Sequence, residues 1–103
     1  MTECDQRQLT NMLNQIAAYD AGRIDLAGLI SSLESLLNAL QSVPESWVDQ
    51  LRRQWGVLEE VYSVAVVREQ PVESVNNRHL VDQAITKIRE IINSILADTG
   101  TPA

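Results

Sequence analysis

The sequence predicts an all-α fold, a single-domain four-helix bundle of the antiparallel type. Apolar residues recur at three- and four-residue spacing, typical of one face of a helix, in four separate segments. Glycine, proline and asparagine fall at short connections between these segments, which place successive helices side by side. The length of 103 residues suits one domain whose core forms without a metal or a disulfide.

The first two predicted helices cover about residues 5–20 and 25–41. Gly22 follows the first helix, as a glycine commonly does where a helix ends. Asp25 is the predicted N-cap of the second helix, because its carboxylate can accept hydrogen bonds from free backbone N–H groups.

The third predicted helix covers about residues 44–68, with Pro44 in its first turn, where the missing N–H is tolerated. Trp47 and Trp55 lie on the same helix face as the leucines, which favours a place in the core. A partner contact stays the alternative, because tryptophan is a common interface anchor. The run VYSVAVV has the β-branched bias of a strand, but its apolar residues keep the helical spacing, so we expect the helix to continue through it.

The fourth predicted helix covers about residues 77–97. Its broad apolar face indicates contact with more than one other helix. The connection before it contains Pro71, and the Asn76–Asn77 pair offers an N-cap. Residues 98–103 are predicted to form a frayed tail.

The chain is acidic, with 14 Asp and Glu residues, 8 Lys and Arg residues and a formal net charge of -6. Residues 1–51 contain seven of the acids but only two of the bases. Nucleic acids and anionic membranes are disfavoured as partners, because both attract basic surfaces. The charge suits a basic protein partner, and the sequence leaves self-association open.

The sequence also predicts a cytoplasmic protein. It begins without a basic segment followed by an apolar run, the pattern of a signal peptide. Its apolar stretches are shorter than the roughly 18 residues that cross a bilayer. Cys4 is the single cysteine, so an internal disulfide is excluded.

Residue patterns for catalysis or metal binding are missing from the sequence. His79 and Cys4 are the only residues of their types, so no cluster has the spacing of zinc ligands. Glu59 and Glu60 are adjacent and point about 100° apart on a helix, unlike the facing carboxylate pairs that bind magnesium in helical nucleotide hydrolases. We therefore expect no enzymatic activity, no metal and no cofactor.

The outward face of the second helix consists mainly of small residues: Gly28, Ser31, Ser32, Ser35 and Ala39. Small side chains let another backbone approach closely. This face is either an ordinary neutral surface or a place where a neighbouring segment or a partner packs.

Between Tyr19 and about Val66 the sequence carries a set of marks: Tyr19, Gly22, Ile24-Asp25-Leu26, Leu36-Leu37, Trp47, Trp55-Gly56 and Leu58-Glu59. In these residues it resembles small, acidic, all-helical bacterial immunity proteins of contact-dependent growth inhibition and related polymorphic toxin systems. The similar region covers less than half of the chain.

The resemblance implies a non-enzymatic protein that binds the C-terminal toxin domain of its own system and blocks the toxin active site. Such toxins are often nucleases with basic clefts, which an acidic inhibitor complements. The resemblance transfers no contact residues. From the sequence, we predict contacts by Glu45, Asp49 and Glu60 on the third helix, with Asp20 and Glu34 outside it.

Two other functions stay open. The main alternative is a helical adaptor or structural module that mediates protein–protein assembly without a toxin partner. A small helical phosphohydrolase is a distant third possibility.

Overall fold

The computed structural model describes residues 2–69 and 75–99, except for the side chains of residues 75, 76, 98 and 99. These residues form four helices: α1 (Glu3–Asp20), α2 (Leu26–Asn38), α3 (Glu45–Val67) and α4 (Val75–Thr99). Each helix packs against its neighbour in sequence, and α1 packs against α4. The helices that lie diagonally across the bundle, α1 and α3 or α2 and α4, make no close backbone contact in their described parts. The predicted all-α four-helix bundle is confirmed.

α1 begins two residues earlier than predicted, because Thr2 is its N-cap. The hydroxyl of Thr2 accepts a hydrogen bond from the N–H of Asp5 at 3.1 Å. This bond satisfies one of the backbone donors that a helix start leaves open.

α1 ends at Asp20, as predicted, through a turn that needs glycine. Gly22 has a φ of 77°, a left-handed conformation that costs other residues energy. The N–H groups of Gly22 and Arg23 donate to the carbonyls of Tyr19 and Ala18 at 3.0 and 2.9 Å. This pair of bonds is the Schellman motif.

α2 begins at the predicted cap and ends earlier than predicted. The carboxylate of Asp25 accepts from the N–H of Gly28 at 2.8 Å. At the other end, the N–H groups of Gln41 and Ser42 donate to the carboxylate of Asp5 at 2.9 and 2.8 Å. These amides are therefore drawn out of the helix, which stops at Asn38.

α3 follows the predicted bounds within one residue and stays helical through VYSVAVV. α4 differs at both ends. It begins at Val75, so Asn76 and Asn77 lie inside the first turn and the predicted cap there is wrong. It continues through Asp98 and Thr99, which were expected in the tail, whereas residues 100–103 and Pro71 lie outside the described residues.

One cluster of buried apolar side chains fills the space between the helices. Burying a Leu or Ile side chain contributes about 1.5–3 kcal/mol each, so this cluster supplies most of the stabilisation. Its fully buried members include Leu9, Met12 and Ile16 from α1, Leu29 and Leu33 from α2, Leu51 and Leu58 from α3, and Ile88, Ile92 and Ile95 from α4.

The helices differ in length, and this difference shapes the surface. α2 has 13 residues and α3 has 23, so at 1.5 Å per residue they are about 20 Å and 34 Å long. The indole of Trp55 contacts Ile30, four residues after the start of α2. The last two turns of α3 therefore extend past the start of α2, together with the start of α4, and form a shoulder above the connection between α1 and α2.

Candidate partner-binding surface

The outward face of α3 carries three exposed carboxylates in one row. Glu45, Asp49 and Glu60 are separated by four and eleven residues, which are close to one and three helical turns. All three side chains are exposed. The row extends over about 22 Å at the helical rise of 1.5 Å per residue. We call Glu45, Asp49 and Glu60 the α3 acidic row.

The carboxylates of the α3 acidic row have no cationic partner within the part of the chain that the structure describes. The one ion pair found there joins Arg89 to Asp20. Arg52, which also lies on α3, instead donates to the side-chain oxygen of Asn38 on α2 at 3.0 Å. The negative charge of the row is therefore available to a partner.

Asp20 lies away from this row. It ends α1 and accepts a hydrogen bond from the guanidinium of Arg89 on α4 at 2.7 Å. Both side chains are about half exposed, so the pair ties α1 to α4 at the surface. The bundle thus separates Asp20 from the other predicted contact residues.

Glu34 lies on α2, beside α3. It is exposed and precedes Asn38 by four residues, which places the two side chains on one helix face. Because Asn38 contacts Arg52, this face of α2 borders α3. The structure therefore places Glu34 near α3, whereas Asp20 lies where α1 meets α4, on the opposite side of the bundle.

Gly56 interrupts the α3 acidic row. It lies in the interior of a 23-residue helix, where glycine is less stable than alanine by about 0.5–1 kcal/mol. A Cβ added at this position would have no atom within 4 Å. Packing inside the protein therefore does not require glycine here, between Asp49 and Glu60.

Both tryptophans pack against the core cluster and remain half-buried. The indole N–H of Trp55 donates to the carbonyl of Ile30 at 3.0 Å, which links α3 to α2. Of the predicted place in the core, the structure shows contact with the core cluster but not full burial.

Asp5 is a buried carboxylate that the sequence reasoning missed. Its side chain is 0% exposed. Burial opposes its ionised form, but hydrogen bonds from the amides of Gln41 and Ser42 and from Thr2 outweigh that effect and hold the pKa of Asp5 below its ordinary value. The signal was present as the capping-box spacing of Thr2 and Asp5. Its role is structural, since it fastens the connection between α2 and α3 to α1.

A cleft of about 800 Å³ lies under the shoulder formed by α3 and α4. Both tyrosines of the chain, Tyr19 and Tyr62, line it. Arg23, Arg78 and Asp82 line it as well, so positive and negative side chains face one space. Tyrosine and arginine are enriched at binding hot spots, yet the mixed charge of this cleft identifies no single class of ligand.

Among the described residues, four large apolar side chains are exposed near the protruding end of α3 and α4. They are Val64, Val66, Val67 and Leu80, with exposures from 40% to 82%. Val66 lies on the side of α3 that α2 covers nearer the start of α3. It is exposed because α2 does not extend as far as the last turns of α3. Exposed apolar groups of this kind occur at protein–protein contacts.

The small-residue face of α2 is only partly on the surface. Ser31 and Ser35 are exposed, whereas Gly28, Ser32 and Ala39 are half-buried. A Cβ at Gly28 would lie 3.2 Å from the capping carboxylate of Asp25. At that position the small residue therefore leaves room for the cap.

Within residues 2–69 and 75–99, no three His, Cys, Asp or Glu side chains are grouped so that they could bind a metal ion. None of the described helices combines the length and the apolar character needed to span a membrane. Cys4 is exposed.

Comparisons of the chain with protein-family models, with curated proteins and with solved structures found no match.

Proposed function

We propose that this protein is an immunity protein, which binds a basic toxin domain in the cytoplasm and blocks its active site. The observation that carries the proposal is the α3 acidic row, whose carboxylates are exposed and lack a cationic partner in the described chain. The resemblance of residues 19–66 to immunity proteins points to the same function.

The chemistry of inhibition follows from the charges. A nuclease cleft is lined with Lys and Arg that bind phosphate. Carboxylates placed in that cleft compete for the same cations. Because the α3 acidic row makes no ion pair within the described chain, a single copy breaks none when the toxin binds. Opposite charge also accelerates association. The acceleration falls as salt is added, because the Debye screening length shortens, to about 8 Å at physiological ionic strength.

The glycine at position 56 suits the same surface, because a position without a side chain lets a partner approach the helix backbone between the exposed Arg52 and Arg53. No intramolecular contact accounts for the glycine.

A charge-reversal experiment tests the proposal. Glu45, Asp49 and Glu60 are changed together to Lys, and cells that produce the toxin domain encoded beside this protein are assayed for growth. A matched control changes three other exposed acids, Glu3, Asp82 and Glu90, to Lys. Both variants alter the net charge equally, so a difference between them reports the surface.

We expect the control to protect the cells and the row variant to fail, with at least tenfold weaker toxin binding, about 1.4 kcal/mol. Circular dichroism should show the same helix content in both variants. Equal protection by both proteins would remove the row from the interface. Failure of the wild-type protein to bind that toxin would contradict the immunity function.

The exposed apolar end of α3 and α4 favours a second candidate, the helical adaptor. Val64, Val67 and Leu80 form a contact site of the kind that an assembly partner covers. A gene for a phage structural protein or a chaperone beside this one, in place of a toxin gene, would favour that function.

A further inference from the structure

The outer face shared by α3 and α4 carries a second row of residues at helical spacing. On α3 the row is Arg53, Val57, Glu60 and Val64, which follow one another at steps of four, three and four residues. Arg53, Glu60 and Val64 are exposed and Val57 is half-buried. Such steps are typical of a helix face that packs along another helix. Both α2 and α4 contact α3 in the described chain, and α4 borders this row, because Arg53 and Lys87 line one cleft.

α4 lies beside this row, and a cleft of about 300 Å³ between the two helices shows which of their residues lie side by side. Arg53 and Gln50 line it from α3, and Lys87 and Ile91 line it from α4. Because the helices are antiparallel, positions later in α3 face positions earlier in α4. Leu80, which is 45% exposed, therefore lies near the apolar end of the row.

The charges of this face are self-complementary. Arg53 lies four residues before Val57, and Glu60 lies three residues after it. When two copies pack face to face and antiparallel, a two-fold axis beside Val57 brings Arg53 of each copy against Glu60 of the other. Lys87 and Glu90 of α4 border the same cleft as Arg53, so the face carries two cations and, with Glu60, two carboxylates.

The shape of the face is self-complementary as well. Val64 lies seven residues after Val57, and Gln50 in the cleft lies seven residues before it. The same two-fold axis therefore places Val64 and Leu80 of each copy at the cleft of the other. Exposed apolar side chains then meet a concave surface on which Ile91 is half-buried.

We propose that this face is an isologous dimer interface, on which a second copy of the chain docks antiparallel. In such an interface both subunits use the same patch. Two helices of about 34 Å by 10 Å present roughly 700 Å², which is close to the roughly 800 Å² per partner of a standard interface. We assign the face to a second copy because Arg53 and Glu60 of one copy meet the opposite charges of the other, and the protruding Val64 and Leu80 of one copy meet the cleft of the other.

Self-association does not rest on toxin binding. Glu60 belongs to both surfaces, and Arg53 lies beside it, four residues after Asp49, so a second copy and a toxin compete for this side of α3. Replacing Arg53 with Glu removes a cation from the dimer face and adds an acid beside the α3 acidic row. This substitution therefore weakens the dimer without weakening attraction to a basic toxin, which separates the two functions.

The test is sedimentation equilibrium of the full chain from about 1 µM to 1 mM, the range of weak to moderate affinity. Glu60→Arg and Arg53→Glu should each weaken dimerisation at least tenfold, because each creates two like-charge contacts in every dimer. An equimolar mixture of the two variants should restore the dimer, since both contacts then join opposite charges. Glu59→Arg is the matched control: it makes the same charge change at the adjacent exposed residue, which points toward α2.

Three results would overturn the dimer. One is a wild-type protein that stays monomeric at the highest concentration. Another is a Glu59→Arg variant that weakens association as much as Glu60→Arg. The third is a mixture of Glu60→Arg and Arg53→Glu that fails to associate. Glu60→Gln and Arg53→Gln supply the same comparison without charge reversal if a reversed variant loses helix content.

Discussion

Asp5 shows how one side chain fixes the relative position of two parts of the chain. Its two carboxylate oxygens accept from the backbone of Gln41 and Ser42, 36 and 37 residues away. Few other groups in the described chain link positions so distant in sequence through polar contacts. The start of α1 and the connection between α2 and α3 therefore depend on the same residue.

Replacing Asp5 with Ala should reduce the free energy of unfolding by about 3–6 kcal/mol, because charged hydrogen bonds contribute about 1.5–3 kcal/mol each and two amides lose their acceptor. Asp25→Ala is the control, since it removes an exposed N-cap worth about 1 kcal/mol. Urea unfolding measures both. A loss at Asp5 no larger than the loss at Asp25 would contradict this role.

The contribution of Asp5 should depend on pH. Its pKa is lowered in the folded protein, whereas the unfolded chain has the ordinary value of about 3.9. The stabilisation is therefore complete above about pH 4 and is lost as the pH falls through the lower, folded pKa. The difference in unfolding free energy between wild type and Asp5→Ala should shrink between pH 5 and pH 2, as measured by urea unfolding at each pH. A difference that stays constant or grows on acidification would contradict this assignment.

Trp55 is predicted to stabilise the pair α2–α3 through both its ring and its N–H. Trp55→Phe keeps most of the apolar contact and removes the hydrogen bond to Ile30, so it should cost about 1 kcal/mol. Trp55→Ala should cost more, about 2–4 kcal/mol, since the half-buried ring is lost as well. Thermal unfolding of both variants measures this order. Two equal losses would mean that the ring contributes nothing.

Within α3, the glycine at position 56 lowers stability, and packing inside the protein does not require it. Gly56→Ala should raise the free energy of unfolding by about 0.5–1 kcal/mol, because alanine is the better helix residue and the added methyl group meets no atom. Gly22→Ala is the control and should be destabilising, since Gly22 has a φ of 77°. A loss of stability in Gly56→Ala would show that the glycine has a packing role.

Helix starts and helix ends differ in how well the sequence predicts them. The cap at Asp25 and the stop at Gly22 are local, so short patterns indicate them correctly. The end of α2 depends on Asp5, whose partners lie far away in sequence, and local spacing cannot reveal such a bond. At the start of α4, the Asn76–Asn77 pair looks like a cap, but the helix begins one residue earlier.

For the whole molecule, the sequence is sufficient to predict the helical bundle, but it predicts only part of the binding surface. The helical spacing of apolar residues predicts which faces meet, so four helices and their order are predictable. The common face of Glu45, Asp49 and Glu60 is also predictable, because all three lie on one helix. The separation of Asp20 from them is not, since it depends on the contact between α1 and α4.

The distribution of charge over the molecule predicts which carboxylates a bound toxin covers. A basic partner that docks on the α3 acidic row must cover its carboxylates, whereas exposed acids on α4 should stay open to solvent. Carbodiimide labelling with mass spectrometry measures the accessibility of each carboxylate in the free protein and in its complex with the neighbouring toxin domain.

We predict that labelling of Glu45, Asp49 and Glu60 falls severalfold in the complex, while labelling of Asp82 and Glu90 is unchanged. The free protein supplies the reference at a concentration where it is monomeric, because all five side chains are exposed in a single copy. Unchanged labelling of the α3 acidic row in a complex that does form, with protection elsewhere, would contradict the claim that this row binds the toxin.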